Sequence, residues 1–217
     1  MILPVGDSSA CDGPRIAPLF PLPNVFLFPR CVRQLHIFEP RYRQMIEDLL
    51  DGQGRLVIGT LLDPGDDGLD GSPHGSPPVH AIAGYGEIVH HERIEDGRFW
   101  IWLLGLGRVR IREVASAKLY RQVELRPLEE TAAPEPHERK LRKALRAAIH
   151  ARCNGATKIP DEASLACLTD LLLLRLELPQ SAMLPLFGEL DIARRAEGAL
   201  AEHVRRPIPP ATAEPHG

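Results

Sequence analysis

The hydrophobic pattern changes its period near residue 131. Upstream, short apolar runs alternate with turn residues; downstream, apolar positions recur at helical spacing almost to the end. The break falls in Thr131-Ala-Ala-Pro-Glu-Pro136 and predicts a β-rich subdomain over residues 15–130 and a helical one over residues 135–205.

In the first part, Arg15–Phe20 and Val25–Phe28 are apolar runs punctuated by Pro18, Pro21, Pro23 and Pro29. Proline cannot donate to a ladder, so these read as short or edge pieces. Val32–Phe38 alternates as a strand. Pro40 suits a first helical turn, and Met45, Ile46, Leu49 and Leu50 predict one short amphipathic helix ending at Gly52. Arg55–Leu62, Ala81–Ile94, Phe99–Val114 and Leu119–Leu128 read as strands, with a hairpin at Glu95-Asp96-Gly97-Arg98. Phe99–Leu104 is apolar on both faces, which a flat sheet with one wet face does not require. A closed barrel, partly covered outside by the second subdomain, does require it.

In the second part, Leu141, Ala144, Leu145, Ala148 and Ile149 predict a helix over His137–Arg152. Asp161 reads as the N-cap of a helix running to Leu178, stopped by Pro179. The leucines between Leu165 and Leu178 nearly encircle that helix and place it centrally in a bundle. A last helix begins near Asp191. The fold class is therefore α+β: a six-stranded barrel with one short helix, followed by a helical bundle. Residues 1–14 and the Pro-rich residues 206–217 are expected to be flexible termini.

Composition narrows the function classes. The 217 residues are 44% hydrophobic and 25% charged, with a net charge of −3, as expected of a soluble cytoplasmic protein. No apolar run approaches the ~18 residues of a membrane span. Cys11, Cys31, Cys153 and Cys167 form no C-x-x-C pair and are expected to stay reduced. The net acidity disfavours nucleic-acid binding driven by bulk charge. P-loop, G-x-S-x-G, H-E-x-x-H and S-x-x-K patterns are all missing, so neither an enzyme nor a cofactor is expected. The Asp-rich stretch Asp63–Pro78 fails the calcium-loop spacing at Gly68 and Pro77, and reads as an insertion between strands. In His90-His91-Glu92, neighbouring side chains point to opposite faces, so no metal site is expected.

Three features remain as candidate surfaces. Arg108, Arg110 and Arg112 alternate onto one strand face, either plainly solvated or forming a groove for phosphate or peptide carboxylate. Trp100 and Trp102 share a face, either as core or as aromatics in a shallow polypeptide-capturing groove. The basic side of helix 137–152 is a solvated face or an RNA-facing one.

Taken in order, several segments resemble the Lon N-terminal (substrate-binding, PUA-like) domain family over residues 15–204. They are Ile16-Ala-Pro-Leu-Phe-Pro-Leu-Pro-Asn-Val-Phe-Leu-Phe-Pro29, Leu35-His-Ile-Phe-Glu-Pro-Arg-Tyr42, Tyr85-Gly-Glu-Ile88, Asp96-Gly97-Arg98, Gly105-Leu-Gly-Arg108 and Leu190-Asp-Ile-Ala-Arg194. The resemblance implies a PUA-like pseudo-barrel followed by a helical bundle, in a stand-alone domain of bacterial type without ATPase or Ser-Lys protease modules. It further implies recognition of unfolded or exposed polypeptide segments, a protease or chaperone as a further partner, and a role as adaptor or regulator of proteolysis. Arg41 and Tyr42 enter the candidate contact set from the matched motif; Trp100, Trp102, Arg108 and Arg110 enter it from strand geometry. The alternative reading is an RNA-binding protein, because PUA-like barrels also serve RNA and a fold does not fix its function.

Overall fold

The computed structural model describes residues 15–62, 77–153 and 158–208. The expectations for residues 1–14, for the insertion at 63–76 and for the tail from residue 209 fall outside them. Six strands form one sheet: β1 (Arg15–Pro23), β2 (Val32–Ile37), β3 (Arg55–Leu61), β4 (Ile82–Arg93), β5 (Phe99–Val114) and β6 (Gln122–Pro127). Their order is β2-β5-β4-β3-β1-β6, with a further β5–β6 pairing. That pairing closes a ring of five strands and leaves β2 outside it, attached only to the first part of β5.

Strand β1 departs from the short-piece expectation. It spans nine residues within the ring, whereas Val25–Phe28 is not a strand. Its first half, Arg15–Pro18, pairs with β6, and its second half, Leu19–Pro23, pairs in parallel with β3. Each half thus has its register on one side, which lets Pro18, Pro21 and Pro23 sit in a closed barrel without breaking a ladder.

Helix α1 (Pro40–Leu50) starts on proline, as the sequence predicts, and plugs the barrel. Tyr42, Met45 and Ile46 are buried there against Phe20, Ile58, Phe99, Ile101 and Leu103. The β4–β5 hairpin turns on Gly97 at φ +80°, with the Asp96 carboxylate accepting from the Arg98 amide at 3.1 Å.

Four helices follow: α2 (His137–Arg152), α3 (Leu165–Arg175), α4 (Gln180–Gly188) and α5 (Ile192–Arg205). Helix α2 has the predicted bounds. Helix α3 is shorter than its leucine run suggests, because Ser164 and not Asp161 caps it, its hydroxyl accepting from the Cys167 amide at 3.2 Å. Asp191 caps α5 through the amides of Ala193 and Arg194. Helix α4 has no counterpart in the sequence reading; it is apolar on most sides and contains Pro185.

Leu168, Leu172 and Leu173 lie at the centre of the helical core, which also takes in Phe26 and Phe28 from the barrel side. The segment carrying those two rings crosses the sheet where side chains are missing. A Cβ on Gly105 would stand 2.0 Å from the Phe28 carbonyl oxygen, and one on Gly84 would stand 2.4 Å from that of Leu27. Leu27 then points into the barrel core and Phe28 into the helical core, so one short crossing joins the two.

Candidate functional site

Alternation along β5 buries Phe99, Ile101 and Leu103 inside the barrel and turns Trp100 and Trp102 outward, half-buried. The helical subdomain is not what covers them. Trp100 lies opposite His36 of β2 and Glu92 of β4; Trp102 lies opposite Gln34 and His90. The His36 and Trp100 rings stack with centroids 4.5 Å apart, and His90 and Trp102 meet at 4.7 Å. Phe38 extends the row, 5.8 Å from His36, and is 59% exposed. Val32 and Val89 flank it, 55% and 51% exposed, the latter at a register shift that turns it outward. The result is a ridge of rings and apolar side chains beside β2, whose far edge has no strand partner among the described residues.

The polar content of this face is small. His36 Nε2 is buried with no hydrogen-bond partner among the described residues, and His90 Nε2 lies 3.4 Å from Glu92. Nothing here resembles a nucleophile beside its base. Burial pushes the Cys31 thiol up to about 11, which keeps it protonated. Among the described residues, no group of three or more His, Cys, Asp or Glu is placed to hold a metal. Chemically, the face can take up apolar side chains and an extended backbone. His36, His90 and Phe38 were missed as site residues; the alternation of Leu35-His-Ile-Phe38 carries part of the signal, but the strand pairing is needed to bring them to Trp100 and Trp102.

The other candidates lie elsewhere, and two are withdrawn from the surface. Tyr42 is 4% exposed, its ring 4.5 Å from Phe20, so most of it packs in the barrel core. Arg41 is exposed and rests on it, 4.6 Å above the ring, while pairing with Glu39 at 2.8 Å. Both line a cleft of about 540 Å³ with Pro21, Pro23, Leu119 and Arg121, away from the tryptophans. Arg108 does share a strand face with Arg110 and Arg112, but the helical subdomain covers that position and leaves it 3% exposed. Its guanidinium holds Asp170 of α3 at 2.8 and 3.2 Å, Glu130 at 2.9 Å and the Phe187 carbonyl at 2.8 Å. Arg195 of α5 completes the cluster, its Nε 3.3 Å from Asp170. Burial pushes the Asp170 carboxyl above its ordinary range, against the pull of Arg108 and Arg195. Arg108 therefore fastens the helices to the barrel. Arg110 remains exposed on the β5–β6 face.

This barrel with its appended bundle is the architecture of a known substrate-binding domain. Residues 16–200 match the family model of the ATP-dependent protease La (LON) substrate-binding domain, and the chain belongs to that family. The N-terminal domain of Mycobacterium avium complex Lon protease superposes with a TM-score of 0.67 at 15% identity, covering 89% of this chain and all of that one. A Lon N-terminal domain protein from Xanthomonas campestris gives 0.62 at 22% identity, covering 86% of this chain and 98% of that one. Lon protease 2 of Sorangium cellulosum (strain So ce56) is 26% identical over 137 residues, which are 59% of this chain but 16% of that protein. The Xanthomonas and Mycobacterium likenesses show the six-stranded, helix-capped fold. No described helix is long and apolar enough to cross a membrane.

Proposed function

We propose that this protein captures exposed apolar segments of unfolded polypeptides on the Trp100–Trp102 face, without transforming them, and so acts as an adaptor or regulator of proteolysis. The observation that carries this reading is the pair of outward indoles, each packed on an imidazole of a neighbouring strand, beside a strand edge that has no partner among the described residues. Half-buried aromatics held by their neighbours are already ordered, so a ligand meets a flat apolar surface at small entropic cost. An extended segment along β2 gains main-chain hydrogen bonds at its edge while alternate side chains reach the rings. The substrate-binding family supports the polypeptide as ligand, and a protease or chaperone is the natural recipient of what is bound. Arg41, beside its own cleft, is a secondary contact on this reading.

Trp100 and Trp102 are the only tryptophans in the chain, so their emission reports on this face alone. Titration with tryptophan-free apolar peptides is expected to shift that emission. Trp100→Ala and Trp102→Ala are each expected to weaken binding roughly tenfold or more, as anchors of a small interface do. Unchanged far-UV circular dichroism establishes that the variants are folded. Undiminished affinity in the double variant, or a broad peptide array with no binder, contradicts the proposal.

A further inference from the structure

A second exposed face of the barrel is built in a way that packing does not explain. On the paired strands β5 and β6, Arg110 lies directly opposite Arg126, and Arg112 directly opposite Glu124. Opposed residues of an antiparallel pair share a face, and like charges in that position destabilise the sheet. One carboxylate stands among three guanidiniums and pairs with two of them. Glu124 pairs with Arg112 and, at 3.5 Å, with Arg126, and the hydrogen bond from Arg112 holds its carboxyl below the ordinary range. Arg110 has neither an ion-pair nor a hydrogen-bond partner among the described residues. Three positive groups against one negative leave two uncompensated charges around a hollow of about 370 Å³, floored by Ala81 and Ile111. The chain as a whole is acidic, with a net charge of −3, so this patch is a local inversion.

We infer that the Arg110–Arg112–Arg126 face is a second docking site, which takes the carboxylates of an acidic polypeptide segment. Guanidinium forks match carboxylates in two-point geometry, and Glu124 shows the patch already accepting that group. Polypeptide is favoured over RNA because the patch is small and lies apart from the barrel's exposed rings. Trp102 is eight residues away from Arg110 along β5, about 26 Å at strand spacing, so a bound nucleotide chain would find charge here without stacking partners. The site stands independently of the apolar face: an acidic segment engages the arginines whether or not Trp100 and Trp102 bind anything.

The test is fluorescence anisotropy with a labelled, tryptophan-free peptide rich in Asp and Glu, beside a single-stranded RNA of equal charge. The expected result is peptide binding that weakens between 50 and 300 mM salt, as roughly expected for exposed charges. Arg110→Gln is expected to weaken it about fivefold, the upper range for one exposed ion pair, and Arg110→Glu further. Because Arg110→Gln relieves a like-charge opposition, its Tm is expected to equal or exceed that of the parent, a result a structural role would not give. Apolar-peptide binding and tryptophan emission should be untouched. Equal affinity in Arg110→Gln/Arg126→Gln, tighter binding of the RNA than of the peptide, or no peptide binding at 50 mM salt each overturns the inference.

Discussion

Arg108 shows how a surface argument and a burial argument part company at a single residue. Its strand position is the one alternation assigns, on the outside with Arg110 and Arg112, yet α3 and α4 lie over it and make it an internal tether. Removing one partner of such a pair strands the other charge in the interior. Arg108→Met is therefore expected to cost about 3–5 kcal/mol in urea unfolding, with Arg108→Met/Asp170→Leu recovering much of the loss. A loss under 1 kcal/mol would place the tether elsewhere. Asp48 makes a different residue-scale claim at the α1–β6 side of the barrel. Lys118 at 2.9 Å, with Tyr120 and Gln44, pulls its carboxyl from 3.8 down to about 2. A carboxyl lowered on folding contributes stability above its unfolded value and loses it as pH falls through the folded one. The stability gap between the parent and Asp48→Asn is thus expected to shrink between about pH 4 and pH 2, read from urea midpoints. A gap that does not change with pH contradicts the assignment.

At the scale of elements, most of the order was legible and the exceptions have physical reasons. Period-two alternation located β2, apolar runs bounded by turn signals located β3 to β6, and period-3.6 spacing located α2 and α5. Helix α4 was invisible because an apolar stretch with Pro185 offers no polar face to set a period. Strand β1 was misjudged because proline restrictions hold per ladder side, and β1 changes partner at its midpoint. Trp100 and Trp102 were named from sequence, but their imidazole neighbours come from other strands and only the register brings them in. Two glycines of the matched motifs gain a reason as well: Gly86 and Gly105 clear the path of the Phe26–Pro29 crossing. Gly105→Ala drives a methyl into the Phe28 carbonyl and is expected to destabilise by several kcal/mol or to prevent folding, checked by thermal unfolding. Gly107, with open space around its Cβ position, is the control and should tolerate alanine far better.

Across the whole molecule, closure and division of labour decide what is left exposed. Five strands seal the ring, the helices cover one stretch of its wall through Phe28 and Arg108, and two faces of β5 stay open on either side of that cover. The first carries rings and a strand edge without a partner among the described residues, the second carries arginines; the occupants proposed for them are an apolar segment and an acidic one respectively. The most direct test of the central claim uses the two tryptophans as its reporter. Titrating the full chain with an unfolded, tryptophan-free apolar polypeptide, while recording emission and anisotropy together, should give saturable binding with a blue shift at the same midpoint. Binding that leaves the emission unmoved would place the ligand on another surface, and an emission shift with RNA but none with polypeptide would contradict the account outright.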